Sequence, residues 1–412
     1  MKKNNNNIIT FGCRLNSWES KKIEENISSD NKNNLIIVNT CAVTAEATKN
    51  AIKTIKKIKK TNNSKKIIVT GCSVEADFKK FAEMREVHQI VKNKDKLNSE
   101  TWKKISPDNK NKDLIKKVAF KESPANSVIR RYIRIQNGCD HQCTFCIIPS
   151  CRGKSISSKS LTIIKEIKNL IKEGVSEIIL TGVDITSWGQ DFPSKPSLGK
   201  LVKEILHSVP NLKRLRLSSI DAAELDEELL KAIKTEKRLM PHLHFSLQSH
   251  DNIILKRMKR RHSSSDFENL IKKIREHRPD ITLGADFITG FPTENYSMFK
   301  KSFDIIKKLN ISHLHVFPYS EREGTIATRM PQNPIHIRRE RARELRIQGN
   351  AILKKLLIEC LGKKQKVLVE NNQGFGKTEH YFLAKVKGAK KGEIVSFKPS
   401  TIENFTLLGE KL

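Results

Sequence analysis

Three cysteines lie close together near the middle of the chain, at Cys139, Cys143 and Cys146. With this spacing one loop can present three thiolates, and these can hold three irons of a [4Fe–4S] cluster. The fourth iron then has no protein ligand and can chelate a small molecule through an amine and a carboxylate. Because the cluster can also supply one electron, the motif favours reductive cleavage of a sulfonium. The alternative is a structural zinc site with Cys151 as a fourth ligand.

Three further cysteines, Cys13, Cys41 and Cys72, each directly follow a short apolar run in the N-terminal part of the chain. These runs predict strands, and the carboxyl ends of parallel strands meet at one edge of a sheet. The three thiols can therefore converge and hold a second cluster, again with an open iron. The alternative is that they are ordinary buried core cysteines.

The elements that must position these residues follow from the hydrophobic pattern. In the first region, predicted strands at 8–12, 35–39 and 67–70 alternate with predicted helices at 17–27 and 46–60. This alternation predicts a parallel sheet covered by helices, that is, an N-terminal α/β domain spanning 1–111. The polar stretch 103–112 is predicted to be a linker.

The second region, 127–349, has six predicted strands separated by helical patterns. The strands begin near Tyr132, Glu177, Lys213, His242, Thr282 and His313. Repeated strand–helix units predict a partial (β/α)6 barrel, whose active site would lie at the carboxyl ends of the strands. A long basic helix is expected at 338–361. The last region, 350–412, has short predicted strands at 365–370, 381–386 and 393–398, which indicate a small β-barrel.

The chain of 412 residues carries a net charge of +33, from 78 Lys and Arg against 45 Asp and Glu. Such a surplus favours polyanionic partners, chiefly nucleic acid, because neutralising phosphates releases counterions. The alternative is a compositional bias towards lysine on solvated helix faces. No run approaches the roughly 18 apolar residues of a membrane span. We therefore expect a cytoplasmic protein with no membrane association and with reduced cysteines.

The whole chain resembles the radical S-adenosylmethionine (SAM) methylthiotransferase family. Within the family it is most similar to the bacterial branch that acts on threonylcarbamoyladenosine in tRNA. Besides the cysteine loop, the resemblance is carried by five stretches: 39–44, 181–186, 216–221, 244–249 and 254–261. The segment 374–381 resembles the first hairpin of the TRAM domain, a small barrel used for RNA. The resemblance implies an N-terminal methylthiotransferase domain, a radical SAM domain and a TRAM domain.

The resemblance also implies the chemistry. Two [4Fe–4S] clusters are expected, one at Cys139, Cys143 and Cys146 that binds and reduces SAM, and an auxiliary one that carries the sulfur. The auxiliary cluster would be held by Cys13, Cys41 and Cys72. The 5′-deoxyadenosyl radical would take hydrogen from C2 of the target adenine, which then receives a methylthio group. The implied substrate is threonylcarbamoyladenosine just 3′ of the anticodon, and a flavodoxin or ferredoxin is the expected reductant.

SAM itself is expected to contact residues in the loops after the barrel strands. Gly182 and the segment containing Gly284 and Gly290 resemble the glycine segments that contact the methionyl amine and the adenine. Ser218 and Gln248 lie at predicted strand ends and are candidates for the ribose or carboxylate. An ordinary turn or a structural hydrogen bond is the alternative for each.

Two positions depart from the family pattern. His250 stands where a glycine usually follows strand four, and a positive φ there would suit histidine less well than glycine. Cys151 replaces a small residue of the family before Arg152 and is interpreted as a small buried side chain.

Two other functions remain open from the sequence. A sister methylthiotransferase would act on isopentenyladenosine of tRNA or on a ribosomal-protein aspartate. A non-catalytic, cluster-bearing tRNA-binding protein would lack the open-iron loop.

Overall fold

The computed structural model describes residues 7–27, 35–105 and 129–412. The N-terminal part of the described chain is a parallel sheet with neighbouring strands in sequence order. Its strands are β1 (Ile8–Thr10), β2 (Leu35–Thr40), β3 (Lys66–Gly71) and β4 (Gln89–Ile90). Its helices are α1 (Arg14–Asn26), α2 (Ala45–Thr61), α3 (Cys72–Ala76), α4 (Phe78–Ala82) and α5 (Ser99–Lys104).

Both faces of this sheet are covered, because alternate residues of each strand enter two separate apolar clusters. On one face Ile37 and Ile68 pack with Ile23 of α1, and on the other Val38 and Val69 pack with α2. Burial on both faces explains why β2 reads as a continuous apolar run, as is usual for parallel sheets. The predicted linker at 103–112 lies largely outside the described residues.

The central part of the described chain has two parallel sheets and a two-stranded antiparallel ribbon. One sheet has β5 (Arg130–Arg134), β8 (Glu177–Thr181) and β9 (Arg214–Leu217) in that order. The second has β10 (Ser219–Ile220), β11 (His242–Gln248), β12 (Thr282–Thr289) and β13 (Ile311–Pro318). The ribbon pairs β6 (Gln136–Asn137) with β7 (Ile156–Ser157).

Helices cover the outer face of these sheets and the ends of the strands. They are α6 (Ile148–Arg152), α7 (Ser160–Lys172), α8 (Leu198–Ser208), α9 (Glu227–Thr235), α10 (Asn252–Arg257), α11 (Ser264–His277), α12 (Tyr296–Lys308) and α13 (Ile335–Cys360). Short 3-10 turns occupy Ile185–Ser187, Ala222–Glu224 and Ile326–Arg329. Only Ser218 separates β9 from β10, so the two sheets continue each other as an open barrel.

Alternation along the central strands separates an apolar outside from a polar inside. Leu215 and Leu217 of β9 belong to the apolar cluster beneath the helices, as do Leu243 and Phe245 of β11. Because successive strand residues point to opposite faces, Arg214, Arg216, His242 and His244 face the lumen of the open barrel instead. The lumen is therefore lined by charged and polar groups that the apolar pattern alone does not reveal.

The fully described residues 361–412 form a closed β-barrel with strand order β14-β15-β16-β18-β17. The strands are β14 (Gln365–Val369), β15 (Phe375–Thr378), β16 (Leu383–Lys387), β17 (Ile394–Glu403) and β18 (Thr406–Lys411). This barrel covers the first residues of the central strands. There Arg214 donates to the carbonyls of Lys377 and Lys366 at 3.1 and 3.2 Å, and Arg216 donates to the Thr378 carbonyl at 2.7 Å.

The predicted fold class is confirmed: parallel α/β sheets are followed by a small β-barrel. All six predicted central strands are present and begin within a few residues of their predicted starts. The sequence patterns missed β15 and β18, because both contain glycine and lysine in place of a clean apolar alternation. None of the described helices is long and apolar enough to cross a membrane.

Candidate active site

The first candidate cluster site lies at the carboxyl edge of the N-terminal sheet. Cys13 precedes α1, Cys41 follows β2 and Cys72 begins α3 directly after β3. Two glycines permit the close approach. Gly12 has φ +94°, and a Cβ there would lie 2.5 Å from the Cys41 sulfur. Gly71 has φ +102°, and a Cβ there would lie 2.3 Å from the Thr40 carbonyl oxygen.

These three thiols influence one another, as a shared site requires. Burial, helped by the neighbouring sulfurs of Cys13 and Cys72, raises the pKa of Cys41 to about 12, although a backbone hydrogen bond from Val43 lowers it. Three neighbouring sulfurs suit iron or zinc, and binding such a cation would offset the cost of ionising them. The residues present therefore fit an iron–sulfur cluster with three protein ligands.

A buried polar network joins this site to the cysteine loop of the central barrel. Arg152, at the end of α6, donates from Nε to the Cys72 sulfur at 3.1 Å and from Nη1 to Glu19 Oε1 at 2.7 Å. Glu19 also pairs with Lys96 at 2.5 Å, and both of these side chains are 1% exposed. Burial alone would raise the pKa of Glu19, but Lys96 and Arg152 outweigh it and lower the pKa to about 2.

The second candidate cluster site is the loop between β6 and α6. Burial, helped by the neighbouring sulfurs of Cys143 and Cys139, raises the pKa of Cys146 to about 12. The loop is pinned to the barrel because Thr144 donates from N to the Met258 carbonyl at 3.2 Å and from Oγ1 to the Arg257 carbonyl at 2.8 Å. This thiol set also fits an iron–sulfur cluster.

Cys151 lies between the two sets. It is buried in an apolar cluster with Ala42 and Cys72, and its backbone carbonyl accepts a bond of 2.9 Å from Asn93. Burial first, and then Cys72, raises its pKa to about 12. This environment suits a small packed side chain.

Replacing Cys151 with alanine should leave about eight irons per chain after anaerobic reconstitution, as expected for two four-iron clusters. The reason is that each cluster already has three cysteines without it. Elemental analysis for iron and zinc measures the outcome, with Cys360→Ala, a buried cysteine of α13, as the matched control. A fall in iron for Cys151→Ala alone would make Cys151 a ligand, and zinc in either site would contradict the two-cluster interpretation.

The structure places four of the five predicted SAM contacts at the carboxyl ends of central strands. Gly182 follows β8, and a Cβ there would lie 2.8 Å from the Gln136 carbonyl oxygen. Ser218 follows β9 and is 6% exposed, Gln248 ends β11 with φ +67°, and Gly290 follows β12 with φ +65°.

The fifth predicted contact, Gly284, lies inside β12 rather than at its end. A Cβ on Gly284 would lie 2.3 Å from Nδ1 of His244, so the glycine makes room for that ring. His250 does not have a positive φ; Gln248, two residues earlier, has it instead. The His250 ring is buried, with Nε2 lying 3.0 Å from Glu268 of α11.

Sequence reasoning missed the histidines of the lumen. A His-Leu-His pattern occurs in β11, at His242 and His244, and again in β13, at His313 and His315. The carboxylate of Asp286 lies 3.0 Å from nitrogens of both His244 and His315, and it accepts a bond from Ser219 at 3.0 Å. The repeated pattern was visible in the sequence, but nothing in it showed that the two strands flank β12 in one sheet and turn their histidines into the same lumen.

Comparison with protein families matches residues 133–306 to the radical SAM superfamily and residues 5–92 to the uncharacterized protein family UPF0004. The chain is 45% identical over 385 residues to the threonylcarbamoyladenosine tRNA methylthiotransferase MtaB of Rickettsia prowazekii, covering 92% of this chain and 90% of that protein. It is 34% identical to the MtaB of Thermotoga maritima, covering 96% and 94% of the two chains.

More distant similarities concern a sister enzyme and the fold. A tRNA-2-methylthio-N(6)-dimethylallyladenosine synthase of Rickettsia rickettsii is 31% identical, covering 98% of this chain and 99% of that protein. Among solved structures, the radical SAM methyltransferase TsrM of Kitasatospora setae, with cobalamin and a [4Fe–4S] cluster bound, has a TM-score of 0.51 at 15% identity. That match covers 74% of this chain and 68% of the other. At this identity the structural match supports the fold alone.

Proposed function

Because the chain belongs to the radical SAM tRNA methylthiotransferase family, we propose that it converts threonylcarbamoyladenosine, just 3′ of the tRNA anticodon, into the 2-methylthio derivative. The observation that carries this proposal is the 45% identity over 92% of the chain to a protein named for that reaction. The sister activity on dimethylallyladenosine is named in relatives at 31% identity. The proposal is supported by the two sets of cysteines expected of such an enzyme, since the members of each set are close enough to influence one another's pKa.

We assign Cys139, Cys143 and Cys146 to the SAM-binding cluster and Cys13, Cys41 and Cys72 to the auxiliary cluster. When bound, the first cluster and SAM supply one-electron cleavage of the sulfonium, and the second supplies sulfur chemistry. SAM is proposed to lie against the strand ends at Gly182, Ser218, Gln248 and Gly290, with Gly284 shaping the lumen below.

Side-chain hydrogen bonds link the N-terminal region, which carries one cysteine set, to the central region, which carries the other. Arg152 ends the short helix that follows the SAM-cluster loop, and it contacts Cys72 in the other set. Arg322, which follows β13, makes a second contact between the central and N-terminal regions, since its Nε donates to the Ala42 carbonyl at 2.7 Å. Both contacts join regions that are distant in the sequence.

The proposed partner is tRNA, and the C-terminal barrel supplies part of the basic protein surface that would bind it. Lys385, Lys387 and Lys390 are exposed there, whereas Lys377 faces the central barrel, with its Nζ 4.7 Å from the Tyr381 ring centroid. Lys377 therefore does not belong to the exposed basic surface.

SAM cleavage consumes an electron, for which we propose a flavodoxin or ferredoxin as the donor. We propose the cytoplasm as the location.

Mass spectrometry of nucleosides from tRNA tests this function directly. Cells carrying the gene should contain 2-methylthio-threonylcarbamoyladenosine, whereas cells lacking it should accumulate the unmethylthiolated nucleoside, and restoring the gene should restore the product. Loss of a methylthiolated isopentenyladenosine instead would identify the sister activity. Unchanged nucleosides would contradict both.

A further inference from the structure

A cluster of cationic and aromatic side chains lies where the three regions of the protein meet. Arg14, the residue after Cys13, reaches the small barrel, and its Nη2 lies 3.4 Å from the hydroxyl of Tyr381. Lys377 lies over the same ring. The ring of Tyr381 stacks on His242 at the floor of the lumen, with centroids 4.9 Å apart and planes 8° from parallel. Each region thus contributes at least one residue to this cluster, which we call the pocket.

The cations of this pocket outnumber the acids beside them. Arg130 and Arg216 pair with Glu177 at 2.5 and 3.0 Å, and Arg130 also pairs with Glu370 at 2.8 Å, so both neighbouring carboxylates already have partners. Arg14 and Lys377 have no ion-pair partner among the described residues. Burial lowers the pKa of Lys377, and the nearby Tyr381 and Glu370 do not offset this effect.

Two further groups support an anion-binding role for this pocket. His242 is 5% exposed, and its Nε2 has no hydrogen-bond partner within the described structure. Burial alone would raise the pKa of Tyr381, but four surrounding cations, Arg14 first among them, lower it. Unpaired buried donors and excess positive charge are costly, and an anion would relieve both.

We propose that Arg14, Lys377 and Tyr381 bind an oxyanion of the substrate, namely the carboxylate of the threonylcarbamoyl group on the target adenosine. This inference rests on the proposed function and deepens it. Arg14 is one residue from Cys13, so the pocket begins beside the proposed source of sulfur, and the N6 substituent and C2 lie on the same purine ring. Arginine and lysine bind a carboxylate through charge-assisted hydrogen bonds.

A phosphate of the RNA backbone shares this oxyanion chemistry, but the position favours the carboxylate. Lys377 and Tyr381 are partly buried between the small barrel and the first residues of the central strands. The end of a flexible nucleoside side chain can enter such a place more easily than a polyanionic backbone. The site would therefore distinguish threonylcarbamoyladenosine from adenosines with neutral N6 substituents.

Binding of anticodon stem-loop RNAs to the reconstituted holoenzyme, measured by fluorescence anisotropy, tests this proposal. Three RNAs are compared, carrying threonylcarbamoyladenosine, its methyl ester or unmodified adenosine. We expect the wild-type protein to bind the acid about 10- to 100-fold more tightly than the ester, the range of one charged hydrogen-bonded pair. Arg14→Gln and, separately, Lys377→Gln should bring this ratio close to one, and Arg14→Lys should preserve part of it.

Arg343→Gln, which removes an exposed charge on α13, is the matched control and should keep the full ratio. Iron content and circular dichroism of each variant show whether its clusters and fold are intact. Equal weakening of all three RNAs by the Arg14 and Lys377 variants would assign the pocket to phosphate and overturn the proposal. A full acid-to-ester ratio retained in both variants would overturn it while leaving the proposed function standing. No preference of the wild-type protein for threonylcarbamoyladenosine over adenosine would overturn both.

Discussion

Replacement of Cys13 by alanine should reduce the methylthiolated nucleoside to background while SAM is still cleaved to 5′-deoxyadenosine. Cys13 lies in the N-terminal region, and the SAM-cluster loop is held by its own bonds to Met258 and Arg257. Because these bonds do not involve Cys13, the loop should keep its shape and its three thiols. Sulfur insertion needs the second site, and losing one of its three ligands should empty it.

Cys143→Ala is the matched variant and should have the opposite effect on SAM. It removes one thiol of the SAM-cluster loop and should reduce 5′-deoxyadenosine to background, and with it the methylthio product. Each variant should retain about four irons in place of about eight. The measurement is paired, with 5′-deoxyadenosine followed by chromatography and the modified nucleoside by mass spectrometry.

Two results would contradict this separation of roles. Methylthio product from Cys13→Ala would show that the N-terminal site does not carry the sulfur. Loss of SAM cleavage in Cys13→Ala, with the SAM cluster shown by spectroscopy to be loaded, would show that the sites are coupled. Arg152 would then be the first residue to examine, because it touches Cys72 from the other region.

Glu19→Gln should lower the free energy of unfolding at neutral pH by about 3–5 kcal/mol, the usual cost of removing one partner of a buried ion pair. Glu19 binds both Arg152 and Lys96, and the three side chains are 1–3% exposed. The substitution leaves two buried cations with a neutral amide between them. Denaturant unfolding compares it with Glu166→Gln, whose partner Lys22 is 35% exposed. The control should change stability by no more than about 1 kcal/mol.

The effect of Glu19 should also depend on pH. Its pKa is lowered from 4.5 to about 2 in the folded protein. A depressed pKa means that the ionised group stabilises the fold fully above pH 4.5 and loses this contribution as the pH falls towards about 2. The stability difference between wild type and Glu19→Gln should therefore shrink between pH 5 and pH 3. The loss should approach about 1.4 kcal/mol per pH unit, the slope for one proton taken up on unfolding. A difference that does not vary with pH, or one below about 1 kcal/mol at neutral pH, would mean that Arg152 and Lys96 find other partners.

Several features were predictable from sequence because they depend on local spacing or on periodicity. The loop of Cys139, Cys143 and Cys146 is contiguous, so its shared site could be predicted before the fold was known. The starts of the central strands were predictable because their outward residues are apolar, as with Leu215 and Leu217 of β9. The N-terminal cysteines were predictable as a set because each one follows a strand, and parallel strands align their carboxyl ends.

Only the tertiary structure decided which distant side chains meet. Arg152 contacts Glu19 across 133 positions of the chain, and Arg14 contacts Tyr381 across 367. Such pairs leave no periodic signal, because their meeting depends on how the three regions pack against one another. The polar lumen was hidden for a related reason: its histidines alternate with the apolar residues that define the strands, and only closure of the barrel brings them together. The sequence by itself therefore determined which elements form and where the thiols lie, while docking decided which charges are buried, paired or left to bind a substrate.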